Sequence, residues 1–482
     1  MLYRLLSLAL VLASLLSAQI ATLPPAQRWV DHARDELMKY WTLPQALGNP
    51  VGSFPSTRCN NGTLYDPKSN ACPEIRDNAW LASIYNDQTV VALSRAIYGY
   101  GVAFHLTGDP QYLRWMKAGV DHFRTRYIDR ANGGAFTTWD SKTRTYGPAV
   151  EARNPQELGY SLLGIGFYYY LTRDPDVIAD IEFIHQQIIG SYWNPELGTL
   201  QWLLKDQPGT SAQTKNLVAV LDQMNAYMVL LAPILPEPLS SNWKRELIGL
   251  SNIMIEKFWS EKDGLFFTAA NTPDDQDLTK TAVDFGHSIK ALWMIRFTGL
   301  LNQDDFLVSF AEERAAKVLE RAWLPDCRCW ANGLTPQGID INKDWWISAE
   351  LDQYSGTLSL KDPAYADRLA GSYQYWLTYI TDPLYGEVWN TVDGVTNLPV
   401  KGWPKAWPWK SAYHSFEHAL VAYLTTSQLQ GEPATLYFAF KEAPPAAGLI
   451  RPYFLSGDLA GFDSWLNDEF GAIHQVKFSG LK

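Results

Sequence analysis

Between residues 282 and 296 the apolar positions Val283, Phe285, Ile289, Ala291, Leu292, Trp293 and Ile295 leave no wide polar face. A helix with that pattern is buried nearly all round, and His287 is set inside it. A second stretch of the same kind, Trp407 to Tyr423, carries His414 and His418. Two apolar helices with embedded histidines point to an acid–base pair lining a cavity. The competing reading is a core imidazole with both nitrogens satisfied. Elsewhere the spacing is amphipathic, as in Leu113, Met116, Val120, Phe123 and Tyr127.

A short signature recurs along the chain: ANGGAFTTW around Gly134, NPELGTLQW around Gly198, EKDGLFFTA around Gly264 and LYGEVWNTV around Gly386. The first three glycines are 64 and 66 residues apart, and the fourth lies 122 further on. A weaker copy around Gly333, CWANGLT, fills that gap. Each copy reads as a turn followed by a short strand and comes after a helix-period stretch. A second signature joins consecutive helices: FHLTGDP ends at Pro110 and YYLTRDP at Pro175, with Asp-Pro as N-cap and first-turn proline. The unit is therefore helix, turn, helix, small hairpin, and such units must stack to bury both helix faces. Between Asn78 and Thr425 there is room for five to six of them, and a helix before Asn78 completes the set. The expected fold is all-α, an (α/α)6 barrel with small β-hairpins between helices. The expected division is a signal peptide at 1–18, a helix and loop extension at 19–77, the barrel at 78–430, and a C-terminal extension at 431–482 beginning with a strand at Leu436 to Phe440.

Met1 to Ala18, with Arg4 ahead of an apolar run and Leu-Ser-Ala at its end, reads as a secretory signal, so the chain is expected to be secreted or periplasmic. No other stretch has the roughly 20 apolar residues a spanning helix needs. A net charge of −11 argues against nucleic acid or an anionic membrane as partner. Twenty Trp and 25 Tyr exceed what a core requires and suit stacking on sugar rings. Cys59 and Cys72 flank a turn-rich loop and are expected to pair, whereas Cys327 and Cys329 leave free thiols and a strained bridge both open. Asn61-Gly62-Thr63 is an N-glycosylation sequon if the host is a eukaryote.

Four local matches now combine. They are Arg95 in LSRAIYGYGVAFHLTGDPQYL, His287 in DFGHSIKALW, the run WWISAE from Trp345 to Glu350, and Trp409-Lys410 with Tyr413-His414 following Asp393-Gly394. In this order, from about Asn78 to Gln428, the chain resembles the N-acylglucosamine 2-epimerase superfamily, which includes cellobiose 2-epimerases and aldose–ketose isomerases acting on mannose-type sugars. The resemblance implies proton transfer at the carbon next to a sugar carbonyl through an enediolate, with no cofactor and no metal. It makes His287 and His414 the acid–base pair, has Arg95 hold the open-chain oxygens, and has Glu350 orient a histidine or a hydroxyl. Tyr98, Trp345, Trp346 and Trp409 would be the apolar and stacking walls. Asp222, Asn225, Asp284, Lys290 and Glu417 are expected beside the substrate. The chain also departs from the family. Asp222 to Tyr227 replaces an HxxEAY-like run, Lys290 stands where Glu is usual, and Glu417 where Arg is usual. Lys290 and Glu417 are accordingly expected to form a charge-swapped pair.

Two other activities compete. Asp222 and Glu350, with Asp284 and Glu417 as possible partners, are the carboxylates a secreted glycoside hydrolase or lyase would use. A non-catalytic sugar-binding protein is a further alternative. His414-Ser415-Phe416-Glu417-His418 also fits the H-x-x-E-H zinc pattern, a five-residue match of low specificity.

Overall fold

The computed structural model describes residues 22–482, so the expected signal at Met1 to Ala18 lies outside the described residues. Six inner helices form a ring: α2 (Val90–Thr107), α4 (Pro155–Thr172), α6 (Leu217–Gln223, continued through Met224–Met228 to Val229–Leu231), α8 (Phe285–Asn302), α10 (Trp345–Ser359) and α12 (Tyr413–Leu429). Five outer helices follow their inner partners in sequence: α3 (Pro110–Arg126), α5 (Ile178–Tyr192), α7 (Leu239–Phe258), α9 (Asp305–Ala322) and α11 (Ala366–Tyr375, extended by Trp376–Ile380). The sixth outer helix comes from the other end of the chain. It is α1 (Ala26–Asp31, continued by His32–Leu37 and Met38–Trp41), which packs on α12, and α12 in turn packs on α2 and closes the ring. This is the (α/α)6 architecture expected from the repeats, with the sixth hairpin split between the two ends.

Apolar pattern explains which helices go inside. In α8 every residue from Phe285 to Gly299 is buried except His287, whereas α3 buries only a stripe, Leu113, Met116, Gly119, Val120 and Phe123. Burying one large apolar side chain contributes about 1.5–3 kcal/mol. Truncating a buried inner-ring side chain such as Ile289 to alanine costs about 2–5 kcal/mol. The Asp-Pro connections behave as read: Asp109 and Asp174 accept from Gln111 and Asp176 backbone N–H groups, with Gly108 and Arg173 in the left-handed region just before them.

The recurring signature is a tight hairpin whose last turn residue is left-handed: Gly134, Gly198, Gly264 and Gly386 all have positive φ. The copy placed around Gly333 needs correction. Trp323–Leu324 pairs with Cys329–Trp330, and the left-handed residue is Arg328, at φ 52°, 64 residues after Gly264. Gly333 belongs to the following strand, which pairs with Val283–Asp284 ahead of α8. Cys327 and Cys329 are disulfide-bonded across that turn, which closes the question their spacing left open, and Cys59 pairs with Cys72 as expected. Helix α12 starts at Tyr413, so Trp407 to Ala412 is a loop, with Trp407 and Lys410 exchanging backbone hydrogen bonds.

The C-terminal residues form a three-stranded antiparallel sheet, β1 (Ala434–Phe438), β2 (Asp458–Asn467) and β3 (Gly471–Ser479), in the order β1-β3-β2. Between β1 and β2 the chain enters the barrel at the C-terminal ends of the inner helices. There Phe454 packs on Trp293 and Phe297, and the backbone of Tyr453 binds the Tyr170 hydroxyl. Among the described residues no helix is long and apolar enough to cross a membrane.

Candidate functional site

A cavity of about 400 Å3 opens at the opposite end, where the inner helices begin. Repetition builds its floor. Arg95, Tyr160, Asp222, Lys290 and Glu350 are each the sixth residue of their inner helix. Because those helices are neighbours, these side chains touch in ring order. The Arg95 guanidinium lies 4.2 Å over the Tyr160 ring, the Tyr160 hydroxyl donates to Asp222 at 3.2 Å, and Lys290 donates to both Tyr160 (3.2 Å) and Asp222 (3.1 Å). Lys290 is also 3.9 Å from Glu350. Helix N-termini carry partial positive charge, so the ring favours an anion or a developing oxyanion above it.

His287 stands at the mouth of α8. Asp284 caps that helix through the His287 N–H (2.6 Å) and accepts from the imidazole Nδ1 at 2.7 Å, leaving Nε2 as the ring nitrogen free to exchange a proton. Burial pushes the Asp284 carboxyl up, but the facing imidazole and the hydrogen bonds it accepts outweigh that and hold it below its ordinary value. Gly286 is required beside it, since a Cβ there would stand 2.6 Å from the Trp346 ring. Trp346 packs against both histidines, with ring centroids 4.7 Å from His287 and 6.1 Å from His414.

His414 is buried, and burial first, then the charges of Lys290 and Arg95, push its pKa well below the ordinary imidazole value. It is therefore a neutral base. Its Nδ1 lies 3.3 Å from Glu350 Oε1 without the alignment of a hydrogen bond. Burial raises the Glu350 carboxyl well above its usual range; Lys290 opposes this, while Glu417 and Asp222 reinforce it. Arg95 donates to the Trp409 carbonyl, which ties the floor to the loop at 403–410. That loop is braced below by the buried pairs Lys410–Glu387 (3.1 Å) and Lys405–Asp382 (2.5 Å).

Of the residues named from sequence, Arg95, Asp222, His287, Lys290, Trp345, Trp346, Trp409 and His414 line the cavity. Asp284 and Glu350 stand behind the two histidines. Tyr98, Asn225 and Glu417 do not reach the cavity. Tyr98 lies one turn below Arg95 and donates to Tyr453, and Asn225 accepts from Tyr413. Glu417 is held by Tyr413 (3.1 Å), Tyr453 (2.5 Å) and Gln353 (3.3 Å). The expected Lys290–Glu417 pair is also corrected, because the partner of Lys290 is Asp222. Nor do His414 and His418 converge. His418 donates through Nε2 to Asp352 at 2.9 Å and stacks on Trp376, away from the cavity. Glu350, His414 and Glu417 do bring ligand-type atoms within 4.8 Å of one another, yet both Glu417 oxygens are already engaged and Lys290 supplies the local positive charge. Sequence reasoning missed Gln156, Tyr160, Asp344, Asn390, Thr391, Trp403 and Trp407, all of which line the cavity. Counting six residues into each inner helix finds Tyr160.

The model of the N-acylglucosamine 2-epimerase (GlcNAc 2-epimerase) family matches residues 81–418. The chain belongs to that family. As a member it is a sugar epimerase or isomerase. No curated protein sequence matches it. Solved structures carry the same fold at low identity. The cellobiose 2-epimerase of Bacillus thermoamylovorans B4167 superposes with a TM-score of 0.68 at 16% identity, over 83% of this chain and 98% of that one. A D-mannose isomerase gives 0.64 at 15% identity, over 83% and 97%. A more distant likeness is the GH76A α-1,6-mannanase of Salegentibacter sp. HEL1_6, at 0.53 and 11% identity over 83% and 99%. The barrel is thus shared by epimerases and hydrolases, and the family match separates them.

Proposed function

We propose that the protein is a secreted sugar 2-epimerase or aldose–ketose isomerase in which His287 and His414 move the proton on the carbon next to the carbonyl. The observation that carries this reading is the pair of unlike imidazoles packed on one Trp346, one held by Asp284 and one kept neutral by burial and neighbouring cations. With the sugar ring open, His414 accepts the carbon proton and the charge passes to the carbonyl oxygen. Arg95, Lys290 and the surrounding helix N-termini stabilise the enediolate that forms. His287 returns a proton to the other face or to the adjacent carbon, and Asp284 holds the imidazolium that alternates with the neutral ring. The carboxylates are poorly suited to glycoside hydrolysis: Asp222 is engaged by Lys290, Gln156 and Tyr160, and Glu350 is buried behind His414.

Incubation with mannose, glucose, N-acetylmannosamine and cellobiose in D2O tests the reaction. Deuterium at carbon with chain length unchanged is expected for at least one sugar, and either His287→Asn or His414→Asn should slow it about 100- to 10,000-fold. Shortened products without deuterium at carbon would instead make the protein a hydrolase.

A further inference from the structure

The aromatic lining does not stop at the cavity. Trp403 and Trp407 line its wall with ring centroids 4.6 Å apart, and Trp407 is fixed by its indole N–H donating to Asn390 at 2.7 Å. Further out, Trp80 meets Trp407 edge to face at 6.0 Å and remains 46% exposed. An exposed tryptophan with no aromatic contact other than Trp407 among the described residues offers an unfilled stacking face. The rings thus run from the half-buried cavity wall to solvent, continuous with the catalytic pocket.

Trp80 is also held in place rather than merely exposed. It lies on the short helix Ala79–Ile84, capped by Asn78, and its neighbour Leu81 sits in a small separate core with Cys59, Tyr65 and Ile75. Trp403 and Trp407 pack on that same core, which the Cys59–Cys72 disulfide closes. The extension before the family-matched segment therefore builds one rigid platform joining Trp80 to the cavity wall.

We infer that Trp80 forms an outer saccharide subsite, so that the protein takes a reducing oligosaccharide of three or more units. Its terminal unit enters the cavity, the next lies along Trp403 and Trp407, and a further unit stacks on Trp80. The inference rests on the sugar-converting reading of the cavity, but binding tests it separately from turnover. The probes are glucose, cellobiose and cellotriose, and mannose with its α-1,6-linked dimer and trimer, measured by calorimetry on the intact protein and on Trp80→Ala and Trp80→Phe. In at least one series the trimer should bind more tightly than the dimer. Trp80→Ala should weaken trimer binding about fivefold and leave the monomer unchanged, while Trp80→Phe keeps most of the trimer affinity. Equal weakening for monomer and trimer would make Trp80 only a brace for Trp407 and overturn the subsite, as would no gain from dimer to trimer in either series. Deuterium exchange measured alongside separates the two readings. Length-dependent binding without exchange retains the subsite and refutes the epimerase, and exchange without length dependence does the reverse.

Discussion

Lys290 and Asp222 test the electrostatics of the floor most directly. Both are almost wholly buried, at 2% and 1% side-chain exposure, and 3.1 Å apart. At an effective dielectric of about 20, that separation is worth about 5 kcal/mol of attraction, offset by several kcal/mol of lost hydration for each ion. The intact pair is then close to neutral for stability, while a lone survivor is not. Lys290→Met leaves Asp222 with only the neutral donors Gln156 and Tyr160, and it removes the charge that faces Glu350. A loss of about 3–5 kcal/mol follows. Asp222→Asn keeps an oxygen for Lys290 and Tyr160 but turns an amide N–H toward the Gln156 donor and strands the ammonium, for a cost of similar size. The double variant should recover at least about 1.5 kcal/mol relative to the sum of the singles. The assay is urea denaturation followed by tryptophan fluorescence. Singles that add within about 0.5 kcal/mol would refute a direct pair and return Lys290 to some other partner.

Three further outcomes are expected. Asp284→Asn retains the helix cap but no longer holds the imidazolium, so kcat for deuterium exchange should fall at least about tenfold with little change in melting temperature; an unchanged rate would dismiss Asp284 as an orienting group. His414, with its pKa depressed, is a base that survives acidification. The acidic limb of kcat/KM should therefore lie below about pH 6.5, and Lys290→Met should move it upward by removing one of the charges that depress it. His105 is buried between the Tyr437 carbonyl and the Tyr170 hydroxyl and pushed down to about 3, so protonation favours the unfolded chain. Stability should fall by about 1.4 kcal/mol per pH unit from this group as pH drops from about 6.5 toward 3, and His105→Gln should flatten that slope.

The barrel was legible because its repeat rests on backbone chemistry: a hairpin that needs a left-handed residue advertises it as glycine at Gly134, Gly198, Gly264 and Gly386. Arg328 does the same work without that advertisement, which is why the neighbouring Gly333 drew the eye instead. At the site, His287, His414 and Arg95 were readable because charged or titratable groups inside apolar helices need an explanation. Tyr98 and Glu417 were misplaced by one helical turn. Each is three residues beyond a cavity residue, on the same face but deeper, and only the packing of the neighbouring helices decides which layer lines the cavity. The partner of Lys290 was hidden for a different reason. Helices α6 and α8 bring positions 222 and 290 together, and nothing local in either segment announces that meeting. Tyr453 was beyond reach altogether, since a loop between two strands gives no sign that it will enter a barrel.

Because α1 covers α12, the first and last helices of the barrel lie side by side, with Ala26 donating to Gln430. During vectorial synthesis five hairpins can be made while α1 waits for a partner roughly 400 residues away. The ring has a seam, and the seam joins its oldest and newest parts. Opening it would also break the bonds that α1 makes elsewhere in the ring, Tyr100 to the Trp41 carbonyl, Trp41 to Glu387 and Trp376 to His32, so the seam is closed by the neighbouring hairpins as well as by the two ends.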